Sequence, residues 1–319
     1  MCYSAQIRQD FDRFVREYGA VIDIATFVKL YWDRREGAKV RTAKAMDASF
    51  ARAQSAEGEQ VRQWIAEYDR MEAGKLEQEL FKQRKRLADA QRSLQTKTTK
   101  KALEDQRIAT AKVEWALGKL ADLRRTTLVD EDSRIFPGWY APVIVSEGGR
   151  RVVKPMRYQC RVAGTPAAYD IKFPGTYNAR RDSLEKFWRG QFGVSHGLMV
   201  VNAFYENVAK HDVEHRELAP GEKEENVVLE FRPRPAHDML VACLWSHWQG
   251  EGAPELLSFA AITDEPPPEI AAAGHDRCII PIKPEHIDAW LNPDRNDLAA
   301  LYAILDDRDR PYYEHRLAA

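Results

Sequence analysis

The stretch GLMVVNAFYE, residues 197–206, is too short for a buried helix and too rich in Val, Phe and Tyr for a loop. It reads as a β-strand that ends on an acid. A carboxylate following Phe204 and Tyr205 is placed for partial desolvation, which raises a carboxyl pKa toward proton-transfer duty. The plainer reading of Glu206, a solvated charge at a strand end, stands beside that one.

The same grammar extends outward from this strand. NVVLEFRP (226–233), MLVACLWSHW (239–248) and LLSFAAIT (256–263) read as further strands, and APVIVSEGGRRVVKPMRY (141–158) as a hairpin turning at Gly148-Gly149. PEHIDAWL (284–291) reads as a short helix with proline at its start. All 16 prolines lie at or after Pro137. The front of the chain is therefore free of them, and RQDFDRFVREYGAV (8–21) reads there as an amphipathic helix closing against the sheet.

Residues 39–128 are rich in Ala, Glu, Lys, Arg, Gln and Leu, the composition of long helices. One apolar seam runs Val61, Ile65, Tyr68, Met71, Leu76, Leu80, Leu87, and a second runs Ala109, Val113, Ala116, Leu120, Leu123. TKTTK (96–100) separates them as a polar turn, so the segment reads as an antiparallel helical hairpin, with Gly58 and Gly74 as weak points of its first arm. It carries 20 lysines and arginines against 13 acids, and the rest of the chain 28 against 36. A basic helical face is first of all a solvated surface; KQRKR (82–86) keeps a nucleic-acid or protein partner for the hairpin open. The expected fold class is α+β, a mostly antiparallel sheet with an inserted helical hairpin. The expected division is 1–30 with 131–319 as the core and 31–130 as the insertion.

At 319 residues, 44% hydrophobic and 30% charged, the chain can bury a substantial core. The net charge of −1 excludes general attraction to polyanions, no apolar run is long enough to span a bilayer, and no signal-peptide pattern opens the chain. Cys2, Cys160, Cys243 and Cys278 are far apart and lack metal-ligand spacing, which argues for a reducing cytoplasm and against a zinc site or a disulfide framework.

Four places hold polar groups that packing alone does not ask for. Cys2 becomes a 1,2-aminothiol if Met1 is removed; otherwise it is a small hydrophobe near a terminus. In TYNARRDSLEKFW (176–188), Asn178 and Arg180 precede a helix expected to begin near Asp182, a place to present an amide and a cation to an anion or carbonyl; Asn178 could equally cap a turn. Glu206 is the third. His275, in AAAGHDRCIIPI (271–282), is the fourth, with a loop hydrogen bond as its plainer role.

Taken in order, Met-Cys, Asn-Ala-Arg, Phe-Tyr-Glu, VACLWSHW (241–248) and HDRCIIPI (275–282) resemble the SOS-response-associated peptidase family, proteins that shield abasic sites by crosslinking to them. The resemblance covers the first dozen residues and then roughly 134–293. Departures are Tyr3-Ser4 for the usual Gly-Arg, MRYQCRV (156–162) for an Arg-Trp-Gly-Leu segment, Asp182 for Glu, Asn207 for Trp and Cys278 for Met. The helical insertion lies outside the family's pattern.

The resemblance implies a barrel-like core that autoprocesses to expose Cys2, binds single-stranded DNA and crosslinks to the aldehyde of an abasic site, with peptidase and lyase-like chemistry and neither metal nor cofactor. An α-amine of pKa about 8 is partly neutral at pH 7, so it can form a Schiff base that the thiol, of pKa about 8.5, closes to a thiazolidine. Glu206 would shuttle protons, His275 would hydrogen-bond the opened sugar hydroxyl or assist the transfer, and Asn178 would hold the Cys2 backbone and amine. Arg180 and Arg157 would pair with phosphates and Tyr158 would stack on a base. The implied setting is the cytoplasm, at the nucleoid during repair. The competing functions are a cysteine-type peptidase acting on other proteins and a non-catalytic protein that works through its hairpin.

Overall fold

The computed structural model describes residues 4–318. Its strands are β1 (Ser4–Ile7), β2 (Val21–Ile22), β3 (Arg134–Ile135), β4 (Tyr140–Glu147), β5 (Arg150–Tyr158), β6 (Asn178–Arg180) and β7 (His196–Ala209). There follow β8 (Asn226–Arg234), β9 (Met239–Gly250), β10 (Ala253–Asp264), β11 (Cys278–Ile279), β12 (Pro281–Ile282) and β13 (Tyr312–Leu317). The hairpin β4–β5 turns at Gly148 and Gly149, at φ of 57° and 74°. A two-residue turn of this hand needs both in the left-handed region, where glycine is cheapest.

The fold is α+β with a mostly antiparallel sheet. Five strands follow one another in a ring: β7 pairs with β4, β4 with β5, β5 with β10, β10 with β9, and β9 again with β7. It is not a clean barrel. The β4–β7 seam is the single pair Ile144↔Leu198, and β5 meets β10 in parallel over only two pairs, Arg157↔Ser258 and Tyr158↔Phe259.

β7 is the hub, and it runs past Glu206 instead of ending there. Its first half pairs with β9, its second half with β1 on one edge and β8 on the other. Its alternating side chains feed two apolar clusters, Leu198 and Val200 on one side, Met199, Val201 and Phe204 on the other. Burial on both faces is why the segment is almost uniformly apolar. At its start His196 is buried: Gly193 N–H donates to Nε2 at 2.8 Å, so Nδ1 carries the proton, toward the Trp290 carbonyl at 3.1 Å.

Helices α1 (Phe11–Tyr18) and α2 (Ile24–Arg35) cover the first cluster with Phe14, Phe27, Leu30 and Tyr31. Asp10 and Asp23 cap them, each accepting a backbone N–H of the first turn. A short α3 (Lys44–Ala48) leads into α4 (Ala56–Thr96) and α5 (Lys100–Arg124), the expected hairpin. Thr99 in the TKTTK turn caps α5 by accepting from Ala102 N–H at 3.1 Å. Ala102, Ala109 and Ala116, seven residues apart and buried, let the two helices approach closely. α4 runs unbroken through Gly74.

The root of the hairpin is bound into the core. Arg34 is buried and pairs with Asp47 at 3.0 Å, donates to Thr42 Oγ1, and lies 4.2 Å from the Tyr68 ring centroid. Tyr31, Val40, Met46, Phe50 and Val61 join the same cluster as β7, with Trp64 and Ile65 packed against it. Separable helix is therefore expected to begin nearer residue 70 than residue 31. Excising 73–118 and joining the stumps with a short flexible linker should leave a cooperatively folded protein, because loop-closure cost grows slowly with length. Extending the cut back to 45 removes Met46, Phe50 and Val61 from the core and should abolish the cooperative thermal transition.

Burial pushes the His196 pKa down to about 3. Between that value and the ordinary unfolded one the unfolded chain binds a proton that the folded chain refuses, so this group's stability contribution falls as pH falls. Urea unfolding of His196→Gln should show a pH slope shallower than wild type by up to about 1.4 kcal/mol per pH unit between about pH 6 and 4.

Candidate active site

Glu206 lies inside β7, paired with Leu229 of β8 and next to Tyr205, which pairs with Ser4 of β1. Strand alternation puts its carboxylate on the face of Phe204 and Val208, and the residue has no exposed surface. His275 meets it there, Nε2 3.2 Å from Oε2. The imidazole is delivered by a turn after the helix Pro268–Ala272, and Gly274 makes that turn possible. Gly274 has φ +88°, and a Cβ on it would sit 2.7 Å from Asp212 Cβ and 2.8 Å from Val208 Cγ1.

The other ring nitrogen fixes the chemistry of this contact. Nδ1 lies 2.9 Å from the Arg277 carbonyl, which can only accept, and 3.3 Å from the Arg277 N–H, which can only donate; the shorter contact favours the tautomer with the proton on Nδ1. With that tautomer Nε2 can accept, and the 3.2 Å approach to Oε2 is favourable when one proton lies between the two atoms. Burial lowers the His275 pKa from its ordinary value, against the raising effect of the Arg277 carbonyl, and so works against a standing imidazolium. A carboxyl and an imidazole sharing one proton away from bulk water form a proton-transfer couple.

An open cleft of about 690 Å³ borders His275 and is lined also by Asp212, Asp276 and, from the segment after β7, His211, His215 and Arg216. The sequence reading passed over KHDVEHRE (210–217), although two histidines among five charged neighbours were a visible signal. Arg216 is held by Glu214 at 2.7 Å and Glu222 at 2.6 Å. Among the described residues no group of His, Cys, Asp and Glu is arranged to hold a metal ion.

A smaller cavity of about 190 Å³ is lined by Arg134, by Tyr205 of β7 and by residues of β8 and β13. Arg134 Nε donates to Ser4 Oγ at 2.8 Å, with its guanidinium carbon 3.8 Å from the Tyr205 ring centroid. Buried Glu230 pairs with Arg232 and, at 2.6 Å, with Arg316. These partners come from distant parts of the chain, and no local motif announced them.

The remaining sequence-based candidates fall in different settings. Cys2 lies outside the described residues. Asn178 is buried on β6 opposite Ala261 of β10, and neither amide atom has a hydrogen-bond partner among the described residues. β10 also pairs with β11 through Asp264↔Cys278, so one strand carries both Asn178 and the end of the His275 loop. The helix expected near Asp182 does not form. A single 3-10 turn, Arg181–Ser183, takes its place, with Ser183 Oγ donating back to the Arg180 carbonyl at 2.9 Å; a hydroxyl satisfying that carbonyl competes with helix. Arg180 is half exposed and pairs with Asp182 at 2.7 Å. Arg157 is largely covered and pairs with Asp170 at 2.8 Å. Tyr158 is fully buried, stacked on Phe259 with centroids 5.2 Å apart. A ring enclosed in that way offers no face to a base, so the stacking role expected for Tyr158 is not available to it.

The model of the family described as SOS response associated peptidase (SRAP) matches residues 91–317. The chain belongs to this family. Membership in the SRAP family brings a DNA-damage-associated role in general. No curated protein matches the chain. Among solved structures it is similar to a protein from Bordetella bronchiseptica at 16% identity, covering 59% of this chain and 87% of that one with a TM-score of 0.46. A protein from Bacteroides thetaiotaomicron is similar at 14% identity, 60% and 80% coverage and a TM-score of 0.46. A phage-related protein from Bordetella bronchiseptica is similar at 18% identity, 58% and 81% coverage and a TM-score of 0.43. No helix among the described residues is long and apolar enough to cross a membrane.

Proposed function

We propose that this SRAP protein binds single-stranded DNA and forms a covalent thiazolidine between Cys2, freed by hydrolysis of the Met1–Cys2 bond, and the aldehyde of an abasic site. The observation that carries the reading is the buried Glu206–His275 contact at 3.2 Å beside the beginning of β1. Ser4, paired with Tyr205, follows Cys2 by two residues, a span of at most about 7 Å. A Cys2 amine is thereby tethered within short reach of the proton-transfer couple, which gives it a high effective concentration there.

The chemistry balances with the loss of one water. The neutral α-amine attacks the aldehyde carbon to give a carbinolamine. Glu206, with the proton it shares with His275, protonates the departing hydroxyl, and the C–O bond breaks as nitrogen returns its own proton to the couple, leaving an imine. The Cys2 thiol then adds across C=N, its sulfur bonding to carbon and its proton passing through the same couple to nitrogen. Asn178 supplies a buried amide without a partner, suited to holding the amine or the opened sugar. Of the two arginines, Arg180 is the better phosphate ligand, since only an exposed Asp182 must yield, whereas Arg157 is largely covered and donates to the Gln159 carbonyl as well as pairing with Asp170.

In active protein, intact mass should show the loss of one methionine, and quantitative retention of Met1 would sink the mechanism. Wild type mixed with abasic single-stranded DNA should give a shifted band on a denaturing gel without borohydride. Cys2→Ala should give none, and Cys2→Ser at most a labile imine or a slow oxazolidine.

Glu206→Gln should preserve lesion-free DNA binding while slowing crosslinking by about 10²-fold, the scale of losing a positioned proton carrier. His275→Ala should slow it as well. Equal crosslinking rates in wild type and Glu206→Gln would remove the couple from the mechanism.

A further inference from the structure

We infer that the distal half of the α4–α5 hairpin, residues 82–112, is a second DNA-binding surface that grips the phosphate backbone away from the lesion. The inference rests on the reading of the protein as one that holds DNA at the Glu206 pocket. It starts from where the charge sits. Residues 82–112 hold ten lysines and arginines against three acids, while the other residues of 39–128 hold ten of each. The whole basic excess of the hairpin is therefore at its tip.

The ion pairs sharpen this asymmetry. All three tip acids are occupied: Asp89 by Arg92, Glu104 by Arg107 at 2.6 Å and Asp105 by Arg86 at 2.6 Å. Lys112 reaches Glu79 at 3.8 Å. Among the described residues Lys82, Arg84, Lys85, Lys97, Lys100 and Lys101 form no ion pair, so six cations stand without a counter-charge on a surface with no acid to spare. A protein held together by its own charges would have matched them, as the lower half of the same hairpin does with Glu77–Arg124 and Glu72–Lys75.

The geometry makes a stripe of these residues. Gln83 and Ala90 are buried in the seam, which turns Phe81, Arg84, Lys85 and Arg92 to the outer face of α4 at helical spacing. Phe81 is 74% exposed among the cations, an aromatic face available to an unpaired base. Residues 82–96 extend about 22 Å along the axis, the rise of about six base steps of a duplex strand. The occupant that fits is a regularly charged polyanion, and DNA is the one the pocket would already hold.

The base of the hairpin stands beside the pocket strand. The turn Asp130–Ser133 after α5 is tied to β8 by Arg232–Asp130 at 2.8 Å, next to β1. From residue 73 the cationic stretch begins about 14 Å further out, at Lys82, and ends about 35 Å out, at the turn. DNA must therefore run about four base steps beyond the lesion to meet it and about ten to span it.

The test compares wild type with a Lys82→Ala/Arg84→Ala/Lys85→Ala/Lys97→Ala/Lys100→Ala/Lys101→Ala variant, alanine being the best helix former. Circular dichroism melting checks that the hairpin persists, and the 73–118 excision gives the same readout without it. Fluorescence anisotropy on lesion-free DNA reads affinity against salt. On DNA with ~20 nucleotides beyond the centre, single-stranded or with a duplex flank, both altered proteins should bind at least about tenfold more weakly, and the slope of log K against log salt should fall by about 2–4. On DNA with ~2 nucleotides each side, too short to meet Lys82, they should match wild type. Unchanged affinity and slope on long DNA overturn the inference and leave an acidic protein as the tip's ligand. Because lesion-free binding needs no Cys2 chemistry, loss of crosslinking with the tip effect intact would overturn only the pocket reading, and normal crosslinking with no tip effect only this one.

Discussion

The structure depends on a single demand made by β7, which must be hydrogen-bonded along both edges and covered on both faces while carrying a carboxylate into the interior. A buried carboxylate without compensation costs several kcal/mol or more. The His275 imidazole at 3.2 Å is the visible compensation, and other features place it there. Gly274 lets the loop pass within contact distance of Asp212 and Val208, β11 anchors the loop to β10, and β8 and β1 lock the strand on either side. An acid at this point of the sheet is hard to explain as stabilisation, since an apolar residue would serve the core better.

The same logic separates the two halves of the hairpin. Its lower half is a structural member: Arg34, clasped by Asp47, Thr42 and Tyr68, ties α2 to α4, and Trp32 meets Trp64 edge-on with centroids 5.3 Å apart. A buried guanidinium cannot be left unpaired, so this clasp orients the first turns of α4 firmly. In the upper half every acid is paired, yet six cations are left over. Rigid below and unmatched above, the hairpin behaves as an arm that holds charge at a fixed distance from a core of opposite net charge, a field suited to orienting an elongated polyanion across the molecule.

Features set by short-range pattern were legible in the sequence. Gly148-Gly149 between two apolar runs specified β4–β5, the two apolar seams and TKTTK specified α4–α5, and Val200 through Tyr205 specified β7. What depended on long-range pairing was not. Glu206 looked like a strand end because Asn207 and Lys210 follow it, yet β8 carries the pairing on to Ala209. Tyr158 looked available because alternation cannot tell a solvent face from a second core, and β10 supplies that core through Phe259. The expected helix at Asp182 failed for a local reason of a different kind, a serine hydroxyl that takes the carbonyl a helix would need. The root of the hairpin, from Tyr31 to Val61, shares its composition with the arm above and differs only in what it packs against.

Asn178 and the Glu206–His275 couple show where stability has been given up. An amide buried on β6 with no partner among the described residues forfeits on the order of 1–3 kcal/mol, and Thr263 Oγ1, two pairs further along the β6–β10 register, is in the same condition. Packing could have removed both deficits with apolar residues of similar size. Their persistence along the strand that also anchors the end of the His275 loop is the pattern of a site organised before its ligand arrives, in which the missing hydrogen bonds are made by what binds. That arrangement favours a reacting group whose charge and hydrogen-bonding change as it reacts, because dipoles fixed in advance need not reorganise when the change occurs.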